Sequence, residues 1–292
     1  MDTCNSSVLI DLATAMHLVE QIPMISPTNN EVRQLIELGE GGAEEIARLV
    51  EHDRIVSQVM LHAANVAFYS PSGSIDSVNR AIALLGINAV TKLVDQSTLT
   101  AALRPLTTPA MSSFWQYAYS AAQAARLLAV ATRVATPEEA FTASLMQRVG
   151  QALMMVKFSD DYQQVHERMR DPEAQLLEVE RSIFGATQVE LGYMLTRRWR
   201  LDEMIVRLVL HQFEPEKADT LTPFAVLLHL AQSIVSGLGL GSEGAYWMRV
   251  DPVQPATWKK LGWDQMAFEP ICQQVLEAQN EFEGFYDAVR NS

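Results

Sequence analysis

The side chains best suited to chemistry are few and scattered. Six histidines, His17, His52, His62, His166, His211 and His229, stand far apart in the chain. An imidazole can bind a metal or move a proton near neutral pH, but either task needs neighbours. His62 and His229 fall in apolar stretches, where a hydrogen-bonded core histidine is the expectation. Cys4 and Cys272 are isolated, with no CxxC spacing for zinc and no adjacent histidine to make a reactive thiolate. Gly237, Gly239 and Gly241 lack the following Lys-Ser/Thr that a phosphate loop requires. No GxSxG elbow is present for a serine hydrolase.

Those residues must be positioned by a chain of 292 residues with 48% apolar and 20% charged side chains, enough to bury a sizeable core. The net charge is −13. Such a field repels nucleic acid and anionic membrane surfaces, and the Arg197-Arg198-Trp199-Arg200 cluster is too small to reverse it. No basic stretch precedes an apolar one at the N-terminus, and two dispersed cysteines suit a reducing compartment, so a cytoplasmic location is expected. The most apolar run, Pro223 to Gly241, is interrupted by His229, Gln232 and glycines and is expected to be a buried core helix.

Apolar residues recur close to every 3.6 positions, as in Ile46, Leu49, Val50 or Val206, Val209, Leu210, and strict alternation is lacking. Thr136-Pro137-Glu138-Glu139 carries a complete capping-box signature, and Thr28-Asn29-Asn30-Glu31 has its outline. Asp171-Pro172, Thr108-Pro109 and Thr222-Pro223 read as further helix starts; Gly39, Gly86, Gly185 and Gly241 read as stops or turns. The expectation is an all-α protein, a multi-helix orthogonal bundle of twelve to fifteen short helices. Residues 1–14 are read as an N-terminal segment and 15–240 as the helical domain. Residues 241–292 are read as a Gly-rich loop and C-terminal extension packed on that domain. The tail from Asp264 to Val289 reads as one amphipathic helix with Phe268, Ile271, Val275, Phe282 and Phe285 on one side, and an exposed stripe there would permit a dimer. Asn65 is expected to cap its helix, and Trp199 and the Met-rich positions such as Met154-Met155 to pack in the core. Tyr246-Trp247, Trp258 and Trp263 would cover the C-terminal helix or form an interface.

From Glu44 to Gly86 the pattern becomes specific. Glu44-Glu45-Ile46-Ala47 leads to Asp53, then Leu61-His62-Ala63-Ala64-Asn65, then Ser77-Val78 and Ala81-Ile82-Ala83-Leu84-Leu85-Gly86. Later blocks are Phe114-Trp115 through Arg126, Glu138 through Gly150, Phe184-Gly185 through Gly192 with Trp199 and His211-Gln212, and His229-Leu230-Ala231-Gln232. In this order and spacing the chain resembles the HDOD family over most of residues 15 to 240. The resemblance implies an all-helical domain of HD-domain-like type, akin to metal-dependent phosphohydrolases, whose members usually serve bacterial signalling through protein partners.

Chemistry of the HD kind needs divalent ions held by His and Asp. By that resemblance, the ligand positions here carry Tyr117, Gln147, Arg148, Gln188, Gln212 and Gln232, and His211 alone keeps a good metal donor. A guanidinium does not deprotonate and repels a cation. No metal and no cofactor is therefore expected, and no catalysis. Arg148 could replace the metal's charge by pairing with a carboxylate such as Glu190 or with a bound anion; otherwise it reaches solvent from a helix face. The functional expectation is a non-catalytic regulatory module with protein partners. The alternative is a sensor that binds an anionic small molecule or nucleotide among Tyr117, Gln147, Arg148, Gln188, Glu190, His211 and Gln212. A divergent hydrolase ranks last.

Overall fold

The structure is a computed structural model that describes residues 10–24, 28, 31–32, 34–35, 42–53, 56–57, 60–61, 64, 75–241, 261–263 and 268–291, except the side chains of 12, 88, 91–93, 95–98 and 291. His62, Asn65, Gly39, Cys4, Tyr246, Trp247 and Trp258 lie outside the described residues. Among the described residues there is no strand, and fourteen α-helices are traced from end to end. The chain divides into two compact units, residues 1–22 with 106–287, and residues 23–105 with 288–292.

The smaller unit holds α2 (Ala43–Glu51), α3 (Val78–Leu85) and α4 (Ile87–Leu103). Its core joins Ile46, Ala47 and Val50 to Val56, Met60, Val78, Ala81, Ile82, Val90 and Val94. The Asp53 carboxylate accepts the Val56 N–H at 3.1 Å and starts the next turn. Gly86 closes α3 and opens α4 at φ 79°, a backbone angle that favours glycine.

The larger unit holds α1 (Leu12–Glu20), α5 (Ser112–Thr132), α6 (Pro137–Met146), α7 (Val149–Lys157) and α8 (Ser159–Arg168). It continues with α9 (Leu176–Phe184), α10 (Gln188–Arg198), α11 (Glu203–Leu210), α12 (Thr222–Leu238), α13 (Glu269–Glu277) and, as far as Asp287, α14 (Phe282–Asn291). The long α5 is the centre, burying Phe114, Trp115, Tyr117, Ala121, Ala125 and Leu128 against α6 and α12. The capping box at Thr136 forms as the sequence predicts: Thr136 Oγ1 accepts the Glu139 N–H and Glu139 reaches back to the Thr136 N–H. Trp199, Met154 and Trp263 are core residues.

Helix α12 is the buried core helix expected from its sequence, with Phe224 through Gln232 and Val235 inside. The stretch Pro215–Leu238 is long and apolar enough to cross a membrane by length and composition, but more than half of it is covered by this fold.

Three local expectations fail. The Asp171-Pro172 start is a turn, because Asp171 spends its carboxylate on the Glu173 N–H at 3.0 Å, and α9 begins at Leu176. Thr222 lies inside α12 rather than capping it. The tail is broken by a tighter turn at Ala278–Glu281 between α13 and α14. There Gln279 takes the Val275 carbonyl at 2.9 Å and accepts the Ser120 hydroxyl of α5 at 3.1 Å. The apolar side of the tail survives the break, with Phe282 and Phe285 against the Tyr119 ring.

Candidate functional site

Gln147 and Arg148 form the corner between α6 and α7, where Gln147 ends one helix and Arg148 precedes the other. Both are buried, Arg148 at 2% exposure, so the solvent-reaching alternative for this side chain is wrong. The corner is held inside by a helix crossing. A methyl on Gly150 of α7 would lie 1.9 Å from the Gln188 carbonyl of α10, so only glycine permits this approach. The same kind of contact seats Gly241 on the backbone of α5 beside Tyr117.

The Arg148 guanidinium is surrounded by neutral groups. Nη1 donates to Gln151 Oε1 at 3.3 Å, Nη2 donates to Gln232 Oε1, and the group lies 5.0 Å over the Tyr117 ring. Gln232 Nε2 then donates to Gln147 Oε1 at 2.7 Å, and Gln147 Nε2 donates to the Leu208 carbonyl at 3.0 Å. Tyr117 Oη donates to the Gln232 carbonyl at 3.3 Å and lies 3.1 Å from Ser236 Oγ. Burial pushes the Tyr117 phenol above its ordinary range, with Arg148 pulling the other way. This chain of bonds ties α5, α6, α7, α11 and α12 together in one unit. The Arg148 Nε and Gln188 Oε1 atoms are buried without a partner.

The carboxylate near this cation is Glu180, not Glu190. Glu190 is half-exposed, closes the capping box of α10 with Thr187, and pairs with Arg181 at 2.9 Å. Its position three residues into a helix commits it to the helix end. Glu180 is fully buried on α9. Its Oε1 accepts Tyr162 Oη at 2.9 Å and Gln188 Nε2 at 3.1 Å, and its Oε2 accepts the Gln188 backbone N–H at 2.8 Å. Burial pushes its carboxyl up to about 7, against those hydrogen bonds and the charge of Arg148. Tyr162 is raised well above its ordinary range by burial and by Glu180.

Glu180, Gln151 and Tyr162 were not singled out from the sequence, although Glu180 left a signal. It sits on the apolar stripe Leu176, Val179, Ile183, Phe184, where a charged residue must be buried. His211 and Gln212 stand at the end of α11, His211 half-buried. Gln212 Nε2 donates to the Val209 carbonyl at 3.1 Å, and the buried His229 places Nδ1 3.3 Å from the Gln212 carbonyl. Among the described residues no hydrogen bond or ion pair joins His211, Gln212 or Glu190 to Arg148.

The donor set does not fit a divalent ion. The converging groups are amides, two phenols, a guanidinium and the Glu180 carboxyl, and among the described residues no three His, Cys, Asp or Glu side chains gather where an ion could be held. The arrangement can fix helices and hold charge inside the fold.

The HDOD domain model matches residues 22–215. The chain belongs to the HDOD family. Among solved structures it is similar to an HDOD domain protein of unknown function from Geobacter sulfurreducens, at 21% identity and a TM-score of 0.60, covering 96% of this chain and 98% of that one. A protein from Shewanella amazonensis provisionally named a phosphohydrolase matches at 18% identity and a TM-score of 0.64, covering 94% and 97%. One from Marinobacter aquaeolei, provisionally named a signal transduction protein, matches at 18% and 0.67, covering 99% and 69%. No curated protein matches the chain. These likenesses show the helical HD-domain-like fold of this HDOD protein.

Proposed function

We propose that this HDOD protein is a non-catalytic, cytoplasmic signalling or regulatory module that works by binding other proteins. The observation that carries the reading is the Arg148 guanidinium, buried among Gln232, Gln151 and Tyr117 where the resemblance places a metal centre. A fixed cation among neutral amides opposes a second cation, and without the ion no water is acidified for phosphoester attack. The free thiol of Cys272 suits a reducing compartment. The test is metal analysis of the purified protein together with assays on a panel of phosphodiesters. The expected result is no stoichiometric Zn, Fe or Mn and no hydrolysis above background. A metal held at one per chain, or turnover lost in Arg148→Ala, refutes the reading.

A second reading, an anion sensor, rests on the unpartnered Arg148 Nε. It is the weaker one, because the other two guanidinium nitrogens are engaged and the residue is buried. A rise in melting temperature with inorganic phosphate or a nucleotide, absent in Arg148→Met, would establish it.

A further inference from the structure

Glu180 is a fully buried carboxyl whose surroundings suit two states of charge. As a carboxylate it receives three donors, one of them the first N–H of α10, where the positive end of the helix favours an anion. Among the described residues no salt bridge reaches it. The cation that acts on it is Arg148 on α7, at longer range. From α8 it faces Tyr162, whose ring meets His166 edge-on at 5.3 Å. Glu190 on α10 is occupied by Arg181 of α9, Glu178 is exposed, and Asp11 caps α1 through Thr14.

As a neutral acid, Glu180 would need an acceptor for its O–H, since a buried donor left alone costs about 1–3 kcal/mol. An acceptor is in place. Gln188 Oε1 is buried and has no partner, on the same amide whose Nε2 donates to Glu180 at 3.1 Å. A half-turn of that amide exchanges donor for acceptor and leaves the backbone bond from Gln188 where it is.

We propose that Glu180 is an internal proton-binding site, and that its proton sets the orientation of the Gln188 amide and so makes the α9–α10 junction respond to pH. The anionic state holds the start of α10 by charge and by two amide donors. The neutral state keeps the contact but gives up the charge. With the carboxyl raised to about 7 by burial, both states are populated near neutral pH. The inference goes beyond the signalling reading and does not depend on it: the titration would stand whether the protein binds partners or hydrolyses a substrate.

The experiment is an NMR titration of the full isotope-labelled chain from about pH 5 to about pH 9, following the Glu180 carboxyl carbon and the Gln188 side-chain amide. The expected result is that both move on one curve with a midpoint near pH 7. In Glu180→Gln, which mimics the neutral acid, the Gln188 amide should keep its low-pH position throughout. A Glu180 carboxyl that titrates in the ordinary carboxylate range overturns the proposal. A Gln188 amide that ignores the titration, or that still moves in Glu180→Gln, overturns it as well. Should Glu180→Gln not fold, the two wild-type curves alone decide.

Discussion

Gly150→Ala tests how the buried site is held. The methyl would stand 1.9 Å from the Gln188 carbonyl oxygen and 2.6 Å from the Gly192 nitrogen. Both are backbone atoms of α10, so no side-chain rotation can relieve the overlap. Opening 1.9 Å to the 3.4 Å of ordinary contact takes about 1.5 Å of separation between α7 and α10. Gln188 would move with α10, and its N–H lies 2.8 Å from Glu180 Oε2, so the site is pulled apart as the helices part. Alanine's better helix propensity returns about 1 kcal/mol. Overpacking of this severity costs about 3 kcal/mol or more, so the variant should lose at least about 2 kcal/mol net. Gly192→Ala is the internal control. Its methyl meets the Val209 Cγ1 side-chain atom at 3.1 Å, which a shift of a few tenths of an ångström relieves. It gains the same propensity, so its net change should stay within about 1 kcal/mol. Urea unfolding followed by circular dichroism reads both. If Gly150→Ala proves as stable as Gly192→Ala, the close crossing does not exist as described.

Other variants probe the charges and the helix ends. Wild-type stability should fall as pH rises from about 4.5 to about 7 and then level off, because the unfolded chain loses the Glu180 proton first while the folded one keeps it. The full effect is about 3 kcal/mol, and Glu180→Gln should remove that slope in melts across the range. Arg148→Met leaves the Gln232 and Gln151 carbonyl oxygens without their donor and takes away the cation acting on Glu180, so it should destabilise by about 3 kcal/mol in urea. An unchanged midpoint would show that the guanidinium is not buried. Arg133 closes α5 at φ 57°, exposed, so Arg133→Gly should raise stability by about 0.5–1 kcal/mol, and a loss would mean that its side chain has a partner.

The helical class and the HDOD pattern were legible because they depend on local facts. Period and caps follow from nearest neighbours along the helix, as at Thr136. Residue type at a motif position is visible without coordinates, as at Gln147, Gln188 and Gln232. Errors of boundary at Asp171 and Ala278 arose where a side chain found a competing partner: the Glu173 N–H for Asp171, and Ser120 on a distant helix for Gln279.

What residue order alone determined was that Arg148 could not ligate a cation; whether its charge met a carboxylate such as Glu190, a bound anion or solvent stayed open. That the side chain is buried among neutral groups, with Glu180 as the carboxyl that feels its charge, was decided only by the folded helices. Glu190 lies closer in sequence to Gln188 than most of the chain, yet its place at the third position of α10 commits it to capping and to Arg181. Glu180 reaches the interior because α9 turns its apolar stripe inward and because two glycines let α7 and α10 approach. Long-range packing sets both the burial and the proton affinity of that group, and neither is a property of the residue's neighbours along the chain.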